Sequence, residues 1–212
     1  MNFLLEQKQI DKQMFTQTAD YSCTERDVRN VTMAGLLHDL GHGPFSHLFD
    51  RGVIPTLLSL KGQSRASINF WEHESASEML FNFMIDEYNL EIESEDGLDK
   101  DFICRLIQGK PPAANDETAW MYEVVANKRN SFDVDKLDYL SRDNYHCGLN
   151  QQQGNQDYIN FEQIIKNSRV INNQIGYNIK SVNNIKMVYD HRFEMFRAIY
   201  NHKTAQAIDL MY

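Results

Sequence analysis

The sequence predicts a mainly α protein, a helical bundle carrying one small β-hairpin. Apolar residues return at three- and four-residue spacing through most of the chain, and cap-like and glycine or proline signals punctuate those stretches. A single segment, Arg169-Val170-Ile171, Asn172-Asn173 and Gln174 to Ile179, reads instead as two short strands about a tight polar turn. The 212 residues, 42% hydrophobic, suffice for one ordinary domain or part of a larger one.

Thr24-Glu25-Arg26-Asp27 has the form of a helix cap, after which Val28, Val31, Gly35, His38 and His42 keep helical spacing. The expected helix therefore begins apolar and ends in histidines, stopped by Gly41, Gly43 and Pro44, with His47 on a following turn. Met79, Leu80, Phe83 and Met84 predict an amphipathic helix after Trp71-Glu72-His73-Glu74. Helix resumes near Asp101, and the run Gly109-Lys110-Pro111-Pro112 reads as a loop. Trp120 to Asn127 and Ser131 to Cys147 follow as helices, then a loop over Gln151 to Asn155. From Ser181 one helix is expected almost to Tyr212, on the pattern Ile185, Val188, Arg192, Met195 and Ile199.

Composition excludes several classes of function. No apolar run approaches the ~20 residues that span a bilayer, and the first residues lack the regions of a leader, so the chain is expected inside the cell without a membrane partner. A net charge of -9 opposes strong non-specific binding to nucleic acid. Cys23, Cys104 and Cys147 share no CxxC spacing and read as reduced filler thiols. The acidic run Glu91 to Gly97 reads as a solvated connection.

Chemistry concentrates in His38-Asp39-Leu40-Gly41-His42-Gly43-Pro44-Phe45-Ser46-His47, three histidines and an aspartate in ten residues. Imidazole and carboxylate are ligands for borderline divalent metals, and a His-Asp doublet at a helix end can offer both to one ion. A second cluster, Asp133-Val134-Asp135-Lys136-Leu137-Asp138-Tyr139 with Arg142 and Asp143, sets Asp135, Tyr139 and Asp143 at successive fours. Taken alone it reads as a solvated helix face laced with ion pairs.

Together these segments carry a resemblance. Ala34 to His47 resembles the motif of the HD-domain superfamily of metal-dependent phosphohydrolases, and Asn127 to Tyr139 resembles its branch of SAM- and HD-domain-containing deoxynucleoside triphosphate triphosphohydrolases. The similarity runs from about Glu25 to the end, through Trp71-Glu72-His73-Glu74 and Arg192 to Lys203.

The resemblance implies an HD-domain helical bundle and release of deoxynucleoside and inorganic triphosphate from a dNTP. It implies one divalent ion (Fe, Mn, Zn or Mg) on His38, Asp39 and Asp135. It makes His42, His47 and His73 active-site histidines, with Asp50 or Glu74 orienting His73. Lys136, Tyr139 and Arg192 would grip the triphosphate, while Asp143 and Tyr200 face the sugar. Further implications are an activating nucleotide, a homodimer or homotetramer, and a nuclear or cytoplasmic location.

The sequence also departs from that pattern. No histidine precedes His38, where the family's first metal ligand lies upstream. Asp11, Asp20 and Cys23 are substitutes by atom type only. Residues 1–23 are expected as a poorly defined segment and 24–212 as a partial HD domain, without a SAM domain and without the C-terminal part of the family's core. Phe196 and Asn201 replace a histidine and a glutamine near the nucleotide, and Asn160 and Asn178 replace basic residues where activators bind. An inactive binding or assembly module, and another HD phosphohydrolase acting on nucleotides, stand as alternatives.

Overall fold

The computed structural model describes residues 23–62, 72–94, 97–111, 117–147 and 161–211. Its helices are α1 (Glu25–Leu37), α2 (Ile54–Leu60), α3 (His73–Glu87), α4 (Lys100–Gln108), α5 (Ala119–Val125), α6 (Val134–Cys147), α7 (Phe161–Lys166), α8 (Val182–Met195) and α9 (Lys203–Asp209). Strands β1 (Ser168–Ile171) and β2 (Gln174–Tyr177) form the hairpin, and wide π-type turns occupy Phe49–Val53 and Phe196–Tyr200. Asp11, Asp20, Trp71, Asn160 and the loop 151–155 lie outside the described residues.

The Thr24 side chain accepts from the Asp27 amide, and the Asp27 carboxylate accepts from the Thr24 backbone N–H at 2.8 Å, so α1 starts on a reciprocal cap. It stops at Leu37, short of the expected end at His42. Ser77, on α3, is the physical reason. Its hydroxyl accepts from the Gly41 amide at 2.8 Å and donates to the His38 carbonyl at 2.7 Å, diverting groups that a longer helix would use for itself. Residues 38–42 turn instead, through Leu40 to Leu37 and His42 to Asp39 backbone bonds. His42 thus leaves the α1 face.

Two apolar clusters hold the bundle. Val31, Ala34 and Leu37 of α1 meet Phe81 of α3, Phe102, Ile103 and Leu106 of α4, and Trp120 and Met121 of α5. Each fully buried Leu, Ile or Phe there contributes about 1.5–3 kcal/mol. A second cluster joins Phe132, Leu140 of α6, Ile164 of α7, and Val188 and Met195 of α8. The expected apolar face of α3 is rotated: Ala76, Ser77 and Phe81 are buried, whereas Met79 and Phe83 are 54% and 56% exposed. Small residues face inward because α3 lies directly against the Gly41 turn.

The hairpin has the expected register, Ile171 opposite Gln174, and Asn172 and Asn173 adopt φ of 50° and 58°, the left-handed pair of a type I′ turn. The Glu123 carboxylate of α5 accepts from the Ile175 amide at 2.8 Å and from Arg129 at 2.7 Å, which fastens the hairpin to the bundle. The C-terminal helix expected as one piece is interrupted. The Asn201 amide reaches back five residues to the Phe196 carbonyl, and His202 then caps α9 through the Thr204 amide. Among the described residues no helix is long and apolar enough to cross a membrane.

Candidate metal centre

His38 stands at the end of α1 in the first apolar cluster's layer, and Asp135 in the first turn of α6, anchored by the second. Packing of the two layers brings them together across 97 residues. His38 Nε2 lies 3.4 Å from Asp135 Oδ1 and 3.2 Å from Asp39 Oδ1. His38 Nδ1 donates to the Gly35 carbonyl at 2.8 Å. Since a carbonyl only accepts, that bond assigns the proton to Nδ1 and aims Nε2 at the two carboxylates.

Hydrogen bonding to Asp135 pushes the His38 imidazole up to about 9, against the opposing effect of burial, and holds the Asp135 carboxyl below its ordinary range. One nitrogen and two anionic oxygens converging on a point suit a divalent cation in place of that proton. His38, Asp39 and Asp135 therefore fit a metal by donor chemistry and convergence.

The loop before α6 sets Asp135. Buried Asn127 accepts from the Arg129 and Asn130 amides and donates to the Phe132 carbonyl. Asp133 accepts from the Asn127 amide at 3.1 Å and the Lys136 amide at 3.2 Å, in the manner of a helix cap.

Beside this centre, His42, His47 and His73 surround Asp50. Asp50 is 5% exposed, carried on the π-type turn, and its Oδ2 accepts from His73 Nδ1 at 3.2 Å. The His42 and His73 rings stack at 3.9 Å, while His47 meets both edge-on. Burial, then the neighbouring His73, keeps the His42 imidazole below its ordinary value. Glu74 Oε2 lies 3.5 Å from His73 Nε2, so both expected orienting carboxylates are in reach. Phe45 and Ser46 hold φ of 66° and 50°, a costly left-handed bend for a bulky residue, and that bend returns His47 to the cluster.

Farther along α6, Tyr139 and Asp143 follow Asp135 at steps of about 6 Å. Arg192 of α8 donates to the Tyr139 hydroxyl at 3.3 Å and lies over the Phe196 ring at 4.4 Å. Tyr200, in the second π-type turn, donates to Asp143. Lys136 departs from this group: it is buried, and its ammonium donates to the Ser131 carbonyl near Asp133. Ser77, Asn127 and Asp133 escaped the sequence reading as site-building residues. Asp133 carried a signal, an acid at a helix start; Ser77 and Asn127 carried none that spacing reveals.

A helical bundle bringing a His-Asp doublet and a distant Asp to one point, with further histidines alongside, defines a metal-site protein of the HD class. The HD domain family model matches residues 8–143, and the chain belongs to that family. It is similar to the deoxynucleoside triphosphate triphosphohydrolase SAMHD1 homolog of Dictyostelium discoideum, 38% identical over 204 residues that cover 96% of this chain and 36% of that protein. Deoxynucleoside triphosphate triphosphohydrolase SAMHD1 of Homo sapiens is 36% identical over 205 residues, 89% of this chain and 31% of its own length. The Gallus gallus protein of the same name is 38% identical over 208 residues, 89% and 32%. The chain thus spans about a third of the length of these relatives.

Proposed function

We propose that this chain is a metal-dependent dNTP triphosphohydrolase core, cleaving a dNTP to deoxynucleoside and inorganic triphosphate. The observation that carries the reading is the meeting of His38, Asp39 and Asp135 beside the histidines around Asp50. The names of the similar proteins supply the substrate class.

In the reaction, water adds to the α-phosphorus, the bond from that phosphorus to the 5′ oxygen breaks, and the leaving oxygen takes a proton. His38, Asp39 and Asp135 would hold a divalent ion, which would supply Lewis acidity toward phosphate oxygens. Asp50 orients His73 through Nδ1, leaving Nε2 to carry a proton to or from the reacting oxygens. His47, 59% exposed at its side chain, is the second proton carrier, and His42 supports both by its ring contacts.

Arg192 and Tyr139 offer a guanidinium and a hydroxyl to the triphosphate, and Asp143 and Tyr200 bound the sugar. Lys136 joins the phosphate contacts by leaving the Ser131 carbonyl. Fe, Mn, Zn and Mg are the candidate ions; a homodimer or homotetramer, an activating nucleotide and a nuclear or cytoplasmic location belong to the same reading. Chromatography of dGTP incubated with the chain and Mn or Mg tests it. Deoxyguanosine with intact triphosphate is expected; orthophosphate or pyrophosphate without triphosphate would overturn it.

A further inference from the structure

We infer that His47, Asp50 and His73 form a second divalent-ion site, separate from the one on His38, Asp39 and Asp135. The buried Asp50 carboxylate is the starting point. Its Oδ1 has no hydrogen-bond partner, and neither has the buried His42 Nδ1 nearby. An unpaired buried carboxylate oxygen is costly, and a cation held at that carboxylate offsets the cost.

The spacing suits a tetrahedral ion. Bonds of about 2.0–2.1 Å place two ligand atoms about 3.3–3.4 Å apart and two imidazole centres about 5 Å apart. From Asp50 Oδ2 the distances are 3.2 Å to His73 Nδ1, 3.8 Å to His42 Nδ1 and 3.9 Å to His47 Nδ1. The His47 ring centre lies 5.6 Å from His73 and 5.3 Å from His42. His42 and His73, stacked at 3.9 Å with planes 15° apart, cannot both direct in-plane lone pairs at one ion. The site therefore takes one of that pair, and His73, nearer to Asp50, is the one assigned. Two imidazoles and one carboxylate leave a fourth position open and favour zinc or cobalt over magnesium or calcium.

His42 connects the two sites, because its Nε2 lies 3.6 Å from Asp39 Oδ1 while its Nδ1 faces Asp50. An ion held there engages His47, the second proton carrier of the proposed hydrolysis, and displaces the bond from His73 Nδ1 to Asp50 that orients His73. On that reading, which this consequence rests upon, excess zinc silences the pocket while the first ion stays bound.

Stoichiometry separates this site from the first and from the proposed reaction. The metal-free 212-residue chain is titrated with cobalt, followed by visible absorption, and with zinc, followed by elemental analysis after gel filtration. Wild type is expected to hold two ions, Asp135→Ala one, His47→Ala one, and the double variant none. His47 is exposed, so its removal leaves the fold intact, which thermal melting verifies. A wild-type chain that holds one ion or none, or a His47→Ala chain that keeps two, would overturn the second site. Two ions without triphosphate release would leave it standing and count against the reaction alone.

Discussion

The Ser77 hydroxyl accepts a hydrogen bond from the Gly41 amide at 2.8 Å, joining the turn that carries His38 and Asp39 to the helix that carries His73. Ser77 is wholly buried, so its loss strands the Gly41 N–H and the His38 carbonyl. Ser77→Ala is expected to destabilise the chain by about 1–3 kcal/mol and to lower its metal affinity, because the unpaired groups loosen the doublet. Chemical denaturation with a metal titration on the same protein checks both; an unchanged denaturation midpoint would remove Ser77 from the account.

Gly41 makes that contact possible. A Cβ there would lie 2.3 Å from the His73 carbonyl oxygen and 2.4 Å from the Ser77 amide, both backbone atoms. Gly41→Ala must push α3 away, and a cost of about 1–3 kcal/mol is expected, visible as a fall in Tm of several degrees. A Tm equal to that of wild type would show that α3 is not seated on the turn.

Much of this arrangement was legible in the sequence, for particular reasons. His38-Asp39 stands out because its residue types suit a metal, Asp135 only through the resemblance of its segment to the HD family, and Thr24 and Asn172-Asn173 because caps and tight turns are local. The end of α1 at Leu37 was hidden, since Ser77 acts from 36 positions away. The π-type turns that present Asp50 and Tyr200 were hidden too, because a wide turn has no sequence period of its own. Met79 and Phe83 misled the reading of α3, where contact with a glycine turn favours small inward residues. The contact of the Lys136 ammonium with the Ser131 carbonyl was hidden as well, because the turn before α6 makes it.

The Arg192 guanidinium donates from Nε to the Tyr139 hydroxyl and lies over the Phe196 ring, a pair of contacts that a compact ammonium does not make together. Arg192→Lys is expected to raise KM for a dNTP about 10-fold, roughly 1.4 kcal/mol, with a smaller change in kcat. Steady-state kinetics decides this, and a KM within twofold of wild type would place Arg192 outside the phosphate contacts.

Burial, with Glu78 and Asp101 nearby, pushes the Cys104 thiol up to about 11. At pH 8 about one molecule in 10³ is thiolate, so alkylation at Cys104 is expected to be slow and to quicken about tenfold per pH unit below that value. Cys147 is exposed and should react first. Peptide mapping after timed iodoacetamide treatment gives the order; Cys104 modified as fast as Cys147 at pH 8 would contradict its burial.

The central claim joins one centre to one reaction, and a paired measurement on wild type and Asp135→Ala tests it most directly. Each protein is loaded with manganese, freed of excess metal, incubated with dGTP, and assayed for bound metal and released triphosphate. Wild type should retain metal and release triphosphate with deoxyguanosine in equal amounts. Asp135→Ala should lose affinity for the ion of the His38, Asp39 and Asp135 centre by at least about 100-fold and release no triphosphate, since an under-coordinated ion is held weakly. Triphosphate release at the wild-type rate by Asp135→Ala would contradict the account.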